Sequence, residues 1–357
     1  MSDRFRVLIS RMTRRATVRA ICLALAMTLF GCDAGATAST DGGAKTDFFA
    51  MNTFMSIEVR GREAEKAVTA AREEVYRLEK LLSRTDPLSE VSAINAAAGS
   101  DWTTVSDETM LLIETAIFYA ESTGGAFDIT VAPVMDIWGF SSGQNRVPDG
   151  AEIESARSAV GYDRIRIDKS GGRVLLADIG MSLDLGGIAK GYAGDRVLEI
   201  IREYDIDAAL ISLGGNVSVY GRKPDGSSFR VAIKDPVDGN SYLGVLSAYD
   251  TDVVTSGGYE RFFERDGKVY IHIMDPGTGR PAESDLLSVS VIDKNGMKSD
   301  ILSTALFVMG KDEAIRYWKE HGDFGLVMAT SSGEVLVSKN LKGLFTVTKG
   351  KSVTYFG

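Results

Sequence analysis

Asp184-Leu185-Gly186-Gly187-Ile188-Ala189-Lys190-Gly191 is the stretch on which the reading of the fold depends. Before it, from Ile165 to Leu183, short alternating runs broken by Gly171-Gly172 predict a hairpin. After it, helical spacing runs from Ile188 to Tyr204, and Ala208 to Leu213 then reads as a strand. A chain that passes from hairpin through a glycine-rich turn into helix and back to strand mixes α and β structure. The stretch also gathers a carboxylate, two glycines and a lysine at a helix start, where exposed amides favour phosphate and Lys190 adds positive charge. A pyrophosphate site is one reading. The other is an Asp N-cap with glycines for close packing, and the stretch alone does not separate the two. Its order is wrong for a Walker A loop, whose Lys follows the second Gly and precedes Ser or Thr.

Outward from this centre, Arg62 to Leu82 places Ala67, Val68, Ala71, Val75, Leu78, Leu81 and Leu82 at helical spacing, with charges on the other side. Thr109 to Ser122, ended by Gly124-Gly125, and Ala151 to Val160 predict two more helices. Phe229 to Ile233, Leu243 to Ala248 and Leu286 to Ile292 read as strands between Gly, Pro and Asp turns. Helices follow at Lys298 to Met309 and Asp312 to His321, then three closing strands. With no Pro-rich linker and no repeat inside 46–357, the expectation is a single α+β domain divisible into two subdomains.

The composition of 357 residues, 44% hydrophobic and 25% charged, excludes disordered and collagen-like chains. Two Cys and two His are too few for a zinc ribbon, an iron–sulfur site or a three-His metal centre. The first 19 residues carry six Arg, and an apolar run from Ala20 to Phe30 follows, too short to span a bilayer. Residues 1–31 therefore read as an export signal. Leu29-Phe30-Gly31-Cys32 resembles the lipobox of bacterial lipoproteins, in which the Cys becomes the lipidated first residue; a plain signal peptide cut further on is the alternative. The small and polar residues at 32–46 read as a flexible tether, and 47–357 as the folded domain.

Cleavage before Cys32 removes six Arg and one Asp, a net +5, and takes the formal charge from −9 to −14. Such a body repels nucleic acid and anionic head groups, so no nucleic-acid partner is expected and membrane contact falls to the lipid. Cys32 is then the only cysteine, which excludes internal disulfides and thiol catalysis. Asp33 directly after Cys32 points to retention at the periplasmic face of the inner membrane.

Three further places carry chemistry. Asp300 and Thr304 lie four apart on a predicted helix, so their oxygens share one face, a hard donor pair suited to Mg²⁺; the bland alternative is a helix-start Asp acting as a cap. His272, in Tyr270-Ile271-His272-Ile273-Met274-Asp275-Pro276, is the side chain most easily poised as a base, although a lone His is more often structural. His321 belongs to that structural class. Gly277-Thr278-Gly279-Arg280-Pro281-Ala282 formally fits a dinucleotide fingerprint, but Pro276 and Pro281 forbid the strand-to-helix turn it requires.

Taken in order, these segments resemble the ApbE family of flavin transferases, from about Phe49 to Val347. Met51-Asn52-Thr53 is similar to the family's opening Met-Gly-Thr, with Asn for Gly. Leu82-Ser83 with Ser89-Glu90-Val91-Ser92 and Asn95 resembles the next block, and Gly125-Ala126-Phe127-Asp128-Ile129-Thr130 with Pro133 and Trp138-Gly139-Phe140 the one after. Asp184 to Gly191, Leu213-Gly214-Gly215-Asn216, Thr255-Ser256-Gly257-Gly258-Tyr259-Glu260-Arg261, His272 to Gly279 and Asp300 to Thr304 complete the set.

The resemblance implies a T-fold-like domain with mainly antiparallel sheets, and Mg²⁺-dependent transfer of FMN from FAD to a Thr or Ser hydroxyl of an acceptor protein, with release of AMP. It implies that Met51, Ala126, Phe127, Asp128, Asp184, Lys190 and Ile271 hold FAD. Asp300, Thr304 and a main-chain oxygen near Gly187 would hold Mg²⁺, and His272 would be the base. Where family members often place an aromatic residue over adenine, this chain has Thr85. The implied acceptor is a membrane redox subunit with a short Ser/Thr motif. Two other readings share the same site: an FAD pyrophosphatase that gives FMN and AMP, and a flavin-binding lipoprotein without turnover.

Overall fold

The apolar stripe between Arg62 and Leu82 delivers helix Ala64–Leu82, which buries Ala67, Val68, Ala71, Val75, Leu78 and Leu82. Burying one Val or Leu contributes ~1.5–3 kcal/mol, so the stripe decides which way the helix faces. It packs on strands Gly43–Ala50 and Thr53–Gly61 and against helix Ala189–Arg202.

The computed structural model describes residues 37–39 and 42–357; the segment 1–31 that reads as an export signal, and Cys32, lie outside the described residues. Its centre is a ten-stranded sheet in the order Thr37–Ser39, Gly43–Ala50, Thr53–Gly61, Ile206–Leu213, Asn216–Gly221, Thr251–Gly257, Leu286–Asp293, Gly325–Thr330, Val335–Ser338 and Val353–Phe356. Its neighbours are antiparallel except the last two strands, which run parallel. This is the mixed, mainly antiparallel α+β architecture expected.

Helices Ala64–Leu82, Ala189–Arg202 and Gly296–Met309 pack side by side on one face of the sheet. A three-stranded sheet, Phe229–Lys234, Tyr242–Ala248 and Phe345–Val347, covers the other face through Val219, Val253, Ile292 and Val327. Covered on both sides, strand Leu286–Asp293 is buried from Leu286 to Ile292, which is why it reads as a continuous apolar run rather than an alternating one. No helix among the described residues is long and apolar enough to cross a membrane.

Several boundaries differ from expectation. Strand Gly43–Ala50 begins inside the segment read as a tether, with Ala44 and Thr46 buried. Small inward residues suffice there because helix Ala64–Leu82 lies close above them. Helices Glu90–Ala96 and Ala132–Trp138 were not expected; at seven residues each, they are too short to show a period, and Ser89 and Pro133 are their main local signals. The hairpin between Ile165 and Leu183 is only Ile165–Asp168 with Arg173–Leu176, and the closing strands number four among the described residues.

The packing of helices on the central strands leaves one costly burial. Asp252, 1% exposed, lies near Asp195 and Asp293, with only the Ser218 hydroxyl and the more distant Arg202 favouring its charged form. Burial, reinforced by the two acidic neighbours, pushes its carboxyl up to about 7. An unfolded Asp releases its proton near 4, so between about pH 4 and 7 the native state holds the extra proton and stability falls as pH rises. Asp252→Asn, which cannot ionise, should flatten this slope and gain up to a few kcal/mol over the natural chain at pH 8. Urea unfolding at pH 5 and pH 8 reads the difference; an unchanged slope refutes the assignment.

Candidate active site

The glycine-rich turn is built by its own carboxylate. Asp184 donates its amide to Ile129 O at 2.7 Å and accepts from Gly186 N at 2.7 Å, which bends the chain before the helix. Leu185 O accepts from both Ile188 N and Ala189 N, and the helix starts at Ala189 with Ile188 at its cap and no side-chain cap bond. Asp184 is thus a turn residue ahead of the helix rather than its N-cap. Gly187 is required by contact: a Cβ there would lie 2.9 Å from Phe127 Cε2.

From the first helical turn, Lys190 folds back and donates to Gly186 O at 3.0 Å. Gly191 N donates to Asp300 Oδ2 at 2.9 Å, and a Cβ on Gly191 would stand 2.2 Å from Gly296 O. The backbones of helices Ala189–Arg202 and Gly296–Met309 therefore touch. The sequence suggested that helix-start amides face a phosphate, but those of Ala189 and Gly191 are already committed to Leu185 O and Asp300.

Asp300 is 4% exposed, and its Oδ1 lies 3.8 Å from Lys190 Nζ. Thr304 follows one turn later on the same helix, its Oγ1 3.1 Å from Ser256 Oγ, which also lies 2.8 Å from Ser303 Oγ. His272 comes directly after strand Lys268–Ile271, whose Ile271 packs where a side chain on Gly258 would project. The His272 backbone N–H donates to Arg261 O at 3.0 Å, and its Nδ1 lies 3.1 Å from the same oxygen. A carbonyl only accepts, so Nδ1 carries the proton and Nε2 keeps its lone pair.

The imidazole is half-buried yet hemmed in by protein. Loss of water pushes its pKa down to about 4; the charges of Arg261 and Lys190 add to the fall, and the bond to Arg261 O opposes it. Glu260 is open to solvent on one side and crowded on the others, which pushes its carboxyl up to about 7; Asp300 adds to the rise, while Lys190, Arg261 and Lys234 oppose it. His272, Glu260, Lys190 and Asp300 therefore share one field. Two surface hollows elsewhere, beside Phe118 and beside Ile179, contain none of these groups.

The remaining residues singled out from the sequence extend this cluster. Met51 and Asn52 form a two-residue hairpin turn with φ of 48° and 58°. Such a turn needs positive φ at both places, a conformation Asn tolerates, which accounts for Asn where the family pattern has Gly. Met51 N donates to Glu79 Oε1 at 2.6 Å, and Arg261 Nη2 to Asn52 O at 3.1 Å, so one arginine links the hairpin tip to His272. Thr85 is exposed beside Arg84, whose guanidinium bonds both oxygens of Asp136 at 2.5 and 2.7 Å and Asp184 Oδ2 at 3.2 Å. Ala126 is half-buried next to Phe127. Asp128 turns inward, accepting from Thr130 N, Thr130 Oγ1 and Tyr162 N; burial raises its pKa against those bonds. Its carboxylate is spent on holding the Phe127 segment.

A family model described as the ApbE family matches residues 51–328. The chain belongs to the ApbE family. This ApbE chain is 36% identical over 288 residues to the FAD:protein FMN transferase of Treponema pallidum (strain Nichols), covering 76% of this chain and 80% of the relative. It is 31% identical over 326 residues to that of Salmonella typhimurium, covering 88% and 93%. Among solved structures it is similar to the ApbE protein of Thermotoga maritima, with TM-score 0.79, 35% identity and coverage of 84% and 98%. It is also similar to the flavinyl transferase ApbE of Pseudomonas stutzeri, with TM-score 0.76, 29% identity and coverage of 90% and 100%.

The donor chemistry of this ApbE site suits a hard cation: a buried carboxylate, a hydroxyl one turn away and main-chain carbonyls, with an ammonium already drawn to Gly186 O. Arg84, Arg261 and Glu260 were not assigned roles from the sequence, although Glu260 and Arg261 close the quoted Thr255-to-Arg261 segment. Nothing in a linear pattern announces that Arg261 O orients His272 or that Arg84 reaches Asp184.

Proposed function

We propose that the chain transfers FMN from FAD to a Thr or Ser hydroxyl of an acceptor protein, forming a phosphoester and releasing AMP, with Mg²⁺ held by Asp300, Thr304 and a carbonyl near Gly187. The observation that carries this reading is Lys190 at the glycine-rich turn, 3.8 Å from Asp300 and near enough for its charge to act on the imidazole of His272, which Arg261 O orients. The names of the relatives support the transfer itself.

Bound there, Mg²⁺ would neutralise diphosphate charge and ease departure of AMP. Lys190 supplies the second positive charge, a task that falls to it because the amides of Ala189 and Gly191 are already used. Phe127 and Gly187 give the turn a close-packed wall against which a substrate can be oriented. His272 Nε2 takes the proton of the acceptor hydroxyl as its oxygen bonds to the FMN phosphorus and the bond to the AMP oxygen breaks.

Incubation of the purified chain with FAD, Mg²⁺ and a candidate acceptor tests this. A covalently yellow acceptor plus AMP is expected. Free FMN plus AMP would make it a hydrolase, a reading favoured by the exposure of Thr85 and of Glu260 to water, and unchanged FAD would make it a binder. The same proposal has the chain exported and tethered through lipid on Cys32 at the periplasmic face of the inner membrane, near a membrane redox acceptor. Palmitate labelling should vanish in Cys32→Ser; labelling that persists refutes the anchor.

A further inference from the structure

Asp195 touches none of the groups assigned to the reaction, yet it joins the two helices that carry them. It lies in helix Ala189–Arg202, five residues after Lys190, and accepts from Gly296 N at 2.8 Å through Oδ1 and from Met297 N at 2.9 Å through Oδ2. Those are the first two amides of helix Gly296–Met309, orphan donors that a helix must satisfy from outside. The carboxylate also opposes the positive end of that helix. In return, helix Gly296–Met309 sends Asp300 back to Gly191 N at 2.9 Å. The two helices thus exchange bonds in both directions across a contact so close that Gly191 and Gly296 admit no side chain.

We infer that Asp195 is a positioning residue for the metal site, setting the register of the Asp300–Thr304 face against the Lys190 turn. The inference rests on the metal reading above. Three bonds and one backbone contact fix the register: two to Asp195, one to Asp300, and the Gly191–Gly296 approach. Sliding helix Gly296–Met309 by a single residue would break all three bonds and carry Asp300 away from Lys190. A lost Asp195 leaves only the Asp300 bond, so the residue meant to bind a cation would also have to hold its own helix. The charges facing Asp195 are Asp252 and Glu199, which repel it, and Arg202, which attracts it. The two amide bonds oppose the burial and acidic neighbours that disfavour its charge.

The test is Mn²⁺ binding to the full-length folded chain, followed by paramagnetic resonance without FAD, so that no turnover is needed. Asp195→Asn keeps the size and one acceptor oxygen, and Asp195→Ala keeps neither. Residues that support a metal ligand typically change affinity 10- to 100-fold when removed, so Asp195→Ala should weaken Mn²⁺ by about that factor, with Asp195→Asn in between. Val174→Ala, in strand Arg173–Leu176 outside both helices, supplies a core destabilisation that should leave Mn²⁺ affinity unchanged. Equal affinity in Asp195→Asn, Asp195→Ala and the natural chain overturns the positioning role while leaving the metal reading standing. A natural chain that binds no Mn²⁺ overturns the metal reading and this inference with it. Should Val174→Ala weaken Mn²⁺ as much as Asp195→Ala, the effect is general loosening and the inference fails.

Discussion

His272→Ala retains FAD but loses transfer by roughly 10²- to 10⁴-fold, the range expected when a general base is removed. The structure narrows how a base at His272 would work. Arg261 O fixes the tautomer, leaving Nε2 as the acceptor, and crowding with two nearby cations keeps the ring uncharged down to about pH 4. At neutral pH the base is therefore wholly in its active form. Its rate profile should show an acidic limb near 4 that disappears in the variant. Because the ring is a weak base, the proton it gains leaves readily afterwards, so turnover does not stall on a charged imidazole. Single-turnover transfer to acceptor, measured by covalent fluorescence across pH 4 to 8, reads both effects. Undiminished transfer in His272→Ala would refute the assignment.

Asp300→Ala should abolish metal dependence together with activity. Loss of a cation that stabilises transition-state charge costs several kcal/mol, and about 4 kcal/mol corresponds to roughly 10³-fold in rate. Asp300 also accepts from Gly191 N, so the Ala variant loses a buried bond as well. Asp300→Asn separates the two contributions: its amide oxygen can keep the Gly191 bond while the charge is gone. Near-natural unfolding with activity down by about the same 10³-fold would assign the loss to the cation. Full activity of the natural chain in EDTA would count against the metal site altogether.

How much of this was legible in the chain depended on whether the signal was local. Helix Ala64–Leu82 was plain because its buried residues recur at helical spacing. Helix Gly296–Met309 was visible in extent, but it is buried at Ile301, Leu302, Ala305, Leu306 and Phe307, around most of its circumference, so its pattern said little about which face is special. The Asp300–Thr304 spacing supplied that instead. The start of strand Gly43–Ala50 was missed because inward Ala44 and Thr46 resemble linker composition, and Phe48 is the one large residue on its inward face. At the site, residue types and order pointed to Asp184, Lys190, His272 and Asp300. The bonds that organise them did not show, since Asp195 meets Gly296, Arg84 meets Asp184 and Arg261 meets Asn52 across long stretches of chain. That the Gly191 amide is already committed did not show for the same reason, as the competing carboxylate of Asp300 lies on another element.

The strand order has a consequence for biosynthesis. Thr53–Gly61 finds its neighbour only when Ile206–Leu213 exists, with Gly61 paired to Ile206 and Met55 to Leu213. One edge of the early hairpin therefore stays without a mate until that distant strand is in place, a non-local pairing of the slow kind. During that wait the row of open amides is a template for wrong partners. Glu58 and Arg60 put charge on that waiting strand, the kind of residue that blunts an open sheet edge.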